Sequence, residues 1–403
     1  MADRPFGATS GALIVAGTSV GAGMLGLPVV TGGAGFFPSL VILVASWAFM
    51  TATGLMFIEL LLWEKSDANL LRLAYRTMGN NGRRFVWGWY LFLFYSLTVA
   101  YVVGGGNMIA DSVGSSLPLS SCVTIFCLVF IAIIAAGRHW VAGVNRWLMA
   151  ALLLSYIGFL AIGAHLVQGQ HLMRMDWAKA AFGLPIAFTS FGFQGTLPTL
   201  ARWVHYDAVI LRKSVVRGTL IALAIYIVWQ WLVLGIVPEE GTHGLAATLA
   251  EGRDAVHPLQ YFTQHPFLCA VARLFAFAAL ATSFLGVGVG LVDFLADGLK
   301  RDVRKAQDRA LLLVVAFLPP ILAAFIYPDI FLAALGVAGG FGCAVLLGVL
   351  PITMVVAAKM QQGAPLFQDA YSWLGRKRVL DVLLLFVAFE MLCELINLME
   401  YMR

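Results

Sequence analysis

Eleven long apolar segments separated by short polar stretches make up most of the chain: 8–30, 37–63, 85–110, 121–137, 146–167, 179–201, 214–236, 267–296, 310–327, 330–357 and 379–400. Each is near or above the roughly 18–20 residues that a helix needs to cross about 30 Å of hydrocarbon. The pattern predicts an all-α integral membrane protein of eleven transmembrane helices, one domain over 1–403, with its termini on opposite sides. The longest connection, 237–266, contains the helix-like GLAATLAEG at 244–252. It reads as a connector with a short surface helix, and an external lid is the alternative. The stretch GLKRDVRKAQDRA at 298–310 alternates charge sign and reads as a solvated helix extension.

Two segments are interrupted. The first carries GTSVGAGMLGLP at Gly17–Pro28, and the sixth carries SFGFQGTLP at Ser190–Pro198. Inside a helix a glycine costs about 1 kcal/mol and a proline about 3 kcal/mol, so both segments are expected to break near mid-membrane. Corresponding breaks five segments apart predict two inverted five-helix repeats, 8–167 and 179–357, with 379–400 as an appended helix.

Composition and charge agree with this reading. The 403 residues are 61% hydrophobic and 12% charged, about half the charged fraction of a soluble domain. With the N-terminus cytoplasmic, all of the 26 Lys and Arg except Arg174, Lys179, Arg253, Arg273 and Arg403 fall in inner loops, as the positive-inside rule requires. The net charge of +5 is spread over every inner loop, which argues for topology and against a nucleic-acid partner. The start MADRPFG is too short for a signal n-region and is expected to be retained. Cys122, Cys127, Cys269, Cys343 and Cys393 stand singly, without CxxC spacing, and read as reduced packing residues, with no metal site or cofactor expected.

Broken helices expose backbone groups that hydrocarbon cannot satisfy, so they are tolerated only against protein or a polar cavity. Two breaks at one depth therefore predict a binding site. Amides of Ala22, Gly23 and Met24, at the start of the second half-helix, suit a carboxylate. Carbonyls of Gly17, Thr18 and Ser19, with those of Thr189 and Ser190, suit an ammonium or a cation. Phe191 and Phe193 offer apolar rings, and Tyr101, Tyr95 and Asn107 could reach the same cavity or simply bond between helices. Glu59 and Asp293, ionisable and near inner helix ends, are candidates for inner-gate ion pairs or for coupling. Gly104–Gly106 and Gly286, Gly288 and Gly290 read as close-packing faces.

At these motifs, and through GGAGF (Gly32–Phe36) and ATSFLGVGVGLVDFLAD (Ala281–Asp297), the chain resembles the aromatic amino-acid permeases of the hydroxy/aromatic amino-acid transporter group, above all bacterial tyrosine-specific permeases. The resemblance implies a LeuT-type fold of the APC superfamily and inward symport of an aromatic amino acid with a proton. Its ring would lie beside Phe191, Phe193 and Gln194. Two positions depart from the group: Gln194 stands where a His commonly follows SFGF, and Leu152 where some proton-coupled relatives carry a Lys. A sodium alternative follows from the wider fold, with Gly17, Val20, Ala279, Thr282 and Ser283 at the comparable positions. Tryptophan or serine/threonine permeases are the nearest rivals. An embedded enzyme would need several mid-membrane catalytic groups, and a channel would need a repeated filter or charged ring; neither accounts for paired breaks. The implied partners are the substrate and the bilayer, with no obligatory protein partner, and the short loops suit a bacterial inner membrane.

Overall fold

The computed structural model describes residues 7–64, 69–113, 117–263, 266–361, 367 and 369–401. Every apolar segment is helical. The first is split into α1 (Ala8–Ser19) and α2 (Gly23–Gly32), bent by 57°. There follow α3 (Phe36–Glu64), α4 (Leu70–Val113), α5 (Leu119–Ala136), α6 (Arg138–Gly163) and a single turn, α7 (Gly169–Leu172). The sixth segment is split into α8 (Leu184–Ser190) and α9 (Leu197–Trp203). Next come α10 (Ala208–Ile236), the short α11 (Leu245–Ala250) and α12 (Val256–Thr263), α13 (Pro266–Leu299) and α14 (Ala306–Ile326). The tenth segment runs from α15 (Phe331–Val337) through a widened π-helical stretch, Ala338–Val349, into α16 (Leu350–Met360), and α17 (Lys377–Tyr401) closes the chain.

Among the described residues, eight helices are long and apolar enough to cross a membrane, and the bent pair α1–α2 makes a ninth. The halves α8 and α9, of seven residues each, fall short singly. Helix α17 has 25 residues, about 37 Å at 1.5 Å per residue, but it carries acidic residues along its length. On α6, Trp147 and Leu154 are 79% and 70% exposed; such an apolar exterior suits lipid and not water.

Prolines inside helices delete a backbone donor, and here aromatic side chains on neighbouring helices replace it. Pro28 leaves the carbonyl of Met24 without its N–H, and Trp229 Nε1 donates to that oxygen at 2.9 Å. Pro319 does the same to Val315, and Tyr95 donates to it at 2.7 Å. Tyr95 is thus an interhelical bonder. The expected glycine faces are close-packed at Gly104, where a Cβ would meet Leu280 and Phe331, and at Gly288, where it would meet Ile134 and Phe317, but not at Gly286, where a Cβ would have open space.

The connection after α10 folds onto α2. Leu245 is buried against Gly32, and the Ala255 N–H donates to Leu25 O at 3.0 Å. The expected helix extension at 298–310 is not formed. Helix α13 stops at Leu299, Lys300 takes φ 53°, and α14 starts at Ala306. Arg301 pairs with Asp308 at 3.0 Å across the turn, so the alternating charges stabilise a loop.

Candidate functional site

The two breaks meet. A Cβ on Gly23, the first residue of α2, would stand 2.8 Å from Ser190 Oγ and 3.0 Å from Ser190 Cα, at the end of α8. Only a residue without a side chain lets the halves approach this closely. The gap in the first helix is Val20–Ala22, and that in the second begins at Phe191.

Positive and negative backbone ends converge there. Among the described residues neither the Gly21 nor the Gly23 N–H has an acceptor, while the Ala22 N–H donates to Ser283 Oγ at 3.0 Å and that of Met24 to Gly21 O at 3.2 Å. On the other pole, the carbonyls of Gly17 and Thr18 take no backbone donor among the described residues. The Tyr226 hydroxyl lies 2.6 Å from both Ser19 O and Ser190 O, the last carbonyls of α1 and α8. One phenolic hydrogen serves one carbonyl at a time, so the pair retains acceptor capacity. Two free amides beside a cluster of helix C-terminal carbonyls complement a zwitterion.

The side chains are distributed unevenly around this centre. Phe191, fully buried, packs edge-on to Tyr226 with centroids 5.0 Å apart. Tyr101 is buried beside Ser283. Phe193 instead turns to α3, where its ring covers Gly54. Gln194 faces α3 too: its Oε1 accepts from Phe193 N–H at 3.1 Å, and its Nε2 donates to Met50 O at 3.2 Å. Hydroxyls of Thr18, Ser19 and Ser190 donate back to Ile14, Val15 and Ile186 in their own helices. Thr189 Oγ1 bonds Leu335 O at 2.8 Å, tying the second break to α15.

Of the residues considered for a coupling ion, Val20 caps α1 through Ala16 O, and Thr282 Oγ1 donates to Ala279 O at 3.1 Å. Ser283 lies at the break itself, against Gly21. Glu59 is buried and paired with Arg212, whose Nε is 2.8 Å from Oε1, and it also accepts from Phe367 N–H at 3.2 Å. Asp293 pairs with Arg138 at 2.8 Å. Both are therefore charge-paired at the helix ends.

Burial differs between the two sides of the first break. Thr18 and Gly195 are exposed, whereas Ser19 through Val29 are buried and covered on the α2 side by the connection after α10. Sequence reasoning missed Tyr226 and Trp229. The available signal was two polar-tipped aromatics three residues apart, on one face of an apolar helix.

The fold and this site define a class: a multi-pass helical transporter with two interrupted helices. Solved structures with the same architecture include MhsT in complex with L-phenylalanine, at TM-score 0.65 and 14% identity over 97% of this chain and 99% of that one. A manganese transporter from Eremococcus coleocola aligns at TM-score 0.61 and 14% identity, over 98% of this chain and 88% of that one. These are LeuT-fold transporters.

The chain belongs to the tryptophan/tyrosine permease family, whose profile matches residues 6–394. It is 34% identical to tyrosine-specific transport system 1 of Haemophilus influenzae, over 86% of this chain and 87% of that protein. It is 30% identical to the tryptophan-specific transport protein of Pseudomonas aeruginosa, over 94% and 92%. Its family makes it a membrane permease and not an enzyme.

Proposed function

We propose that this protein imports an aromatic amino acid, tyrosine foremost, across the bacterial inner membrane by ion symport, with alternating access around the paired breaks. The observation that carries the reading is the contact of Gly23 with Ser190, which sets free amides beside the carbonyls held by Tyr226. The substrate carboxylate takes the amides of Gly21 and Gly23, and its ammonium takes the carbonyls of Gly17, Thr18, Ser19 and Ser190 in place of the Tyr226 hydroxyl. Its ring lies toward Phe191 and Tyr101. The names of the relatives support tyrosine or tryptophan, and identity is higher to the tyrosine systems.

In this reading the chain crosses the membrane eleven times, α8–α9 and α17 included, as two inverted repeats plus α17. The N-terminus is cytoplasmic and the C-terminus periplasmic. Exposure at Thr18 then makes the conformation inward-facing. Phe193 and Gln194 support the second break from behind and do not touch substrate.

The test is uptake of labelled tyrosine into proteoliposomes under an imposed pH gradient, an imposed sodium gradient and no gradient. Concentrative uptake under the pH gradient, competed by excess unlabelled aromatic amino acid, is expected. Uptake driven by sodium alone would reassign coupling to Ser283 and Thr282. Absence of uptake in all three would refute the transport reading.

A further inference from the structure

Helix α17 carries two carboxylates in its buried face. Glu390 has no exposed surface, and neither of its carboxylate oxygens has a hydrogen-bond partner among the described residues. Glu394, one turn on and 2% exposed, lies against Gly336 and Gly340 of the tenth segment. Its one hydrogen bond is a long one, from Asn397 Nδ2 at 3.5 Å. No arginine or lysine pairs with either among the described residues, unlike Glu59 and Asp293.

Residues 390, 394, 397 and 401 recur on one face of α17. From Glu394 outward that face lines a cavity of about 520 Å³ between α17, α2, α15 and the connection after α10. Lys179, Glu239, Asp329 and Glu400 stand around the cavity, whereas Glu394, Cys343 and Cys393 are titratable groups within electrostatic reach of Glu390. The arrangement is a polar column running from the cavity to a sealed, unpartnered carboxyl.

Two carboxylates one turn apart in a low-dielectric interior, with no cation beside them, cannot both be ionised. An unpaired buried charge costs several kcal/mol, and a proton removes it. We propose that Glu390 and Glu394 form the proton-binding site of this permease, loaded through the cavity on the α17 side. A proton from water in the cavity bonds one carboxylate oxygen and makes the neutral acid; on release it returns to water and leaves the carboxylate.

The same contacts link the pair to the breaks. Glu394 rests on Gly336 and Gly340, and the intervening Gly339 packs against Pro185 and Thr189 of α8. Thr189 in turn bonds Leu335 O. Charging Glu394 loads the strip of glycines that holds α8, so protonation favours one arrangement of the second break over the other. The π-helical winding of Ala338–Val349 places the adaptable stretch of that helix between them, as π-turns often do at functional positions.

This inference rests on the transport reading, and the experiment separates the two. Glu390→Gln, Glu394→Gln and the double variant are compared with the parent in proteoliposomes, for tyrosine accumulation under a pH gradient and for tyrosine–tyrosine exchange without one. Glu390→Asp is the charge-keeping control, and monodispersity in detergent checks folding. In the double variant, accumulation is expected to fall to about onefold, simple equilibration, because binding no longer differs with protonation. Exchange persists, and Glu390→Asp still accumulates. A double variant that concentrates tyrosine with the parent's pH profile overturns the proton site, as does a parent driven by sodium alone. Loss of exchange together with accumulation, in well-folded Glu→Gln variants, assigns the pair to substrate binding or packing and likewise overturns it. A parent that moves no aromatic amino acid under any gradient fails the transport reading and the inference with it.

Discussion

Single residues decide whether the two breaks can meet, and their partners follow from backbone chemistry. Pro28 orphans Met24 O, and Trp229 satisfies it. Trp229→Phe keeps the ring but removes the donor, so it should cost about 1–3 kcal/mol, the cost of an unsatisfied buried acceptor. Thermal unfolding of the purified protein measures it; an unchanged midpoint would mean that the carbonyl finds another donor. Gln194 has the same kind of role at the second break. Gln194→Leu removes one partner each from the Phe193 N–H and Met50 O, which keep Phe191 O and the Thr53 hydroxyl. It should therefore lower stability by about 1 kcal/mol, the net worth of a hydrogen bond and less than that of an orphaned group. If it instead abolished tyrosine binding at full stability, the residue would belong to the pocket after all. The glycines and prolines of both motifs were legible because they violate helix propensity in the middle of an apolar run. Their partners were legible only in part: Ser283 was reached through the family resemblance, whereas Tyr226 and Trp229 lie in another segment, and only packing brings them to the break.

At the scale of elements, the connection between α10 and α13 acts on α2 through the Ala255–Leu25 hydrogen bond. Asp254 beside it is buried, and burial raises its carboxyl from the ordinary 3.8 to about 6, against the opposing bond from Val256 N–H. Asp111, Arg253 and His257 surround it, with Arg253 paired to Asp111 at 2.5 Å. An acid whose folded pKa is raised favours the folded loop when protonated. That stability is full below the ordinary value and is lost as pH rises through about 6. Hydrogen exchange at Ala255, corrected for the intrinsic rate, should therefore show stronger protection at pH 5 than at pH 7.5, and Asp254→Asn should flatten the difference. Equal pH dependence in the variant would contradict the assignment to Asp254. The existence of α11 was readable from GLAATLAEG, whereas its docking on Gly32 was not. The charge alternation at 298–310 misled because Arg301 and Asp308 pair just as well across a turn. Nothing in the residue pattern of α17 sets Glu390 and Glu394 apart from interfacial carboxylates near a helix end; burial against Gly336 and Gly340 does so.

For the whole molecule, the apolar segments are long enough that length alone located nearly every helix. The five-segment spacing of the two breaks pointed to a transporter before any tertiary contact was known. The family assignment and the LeuT-fold neighbours agree with that architecture. What the sequence left open was electrostatic. It offered Glu59 and Asp293 as either inner-gate ion pairs or coupling groups, and the fold pairs both with arginine. An ion pair of this kind between α3 and α10 suits a gate better than a proton carrier. Glu59→Gln should loosen that side and raise the rate of tyrosine exchange while leaving the pH profile of uptake unchanged. A shifted profile would return Glu59 to the coupling path.

The most direct test of the account is equilibrium binding of labelled tyrosine to the purified parent and to Gly23→Leu, with monodispersity and thermal midpoint measured on the same samples. A leucine side chain must occupy the space between α2 and Ser190, where even a Cβ stands 2.8 Å from Ser190 Oγ. The paired-break site predicts a folded variant that binds no tyrosine. Retained affinity in that variant would place the substrate elsewhere and contradict the account.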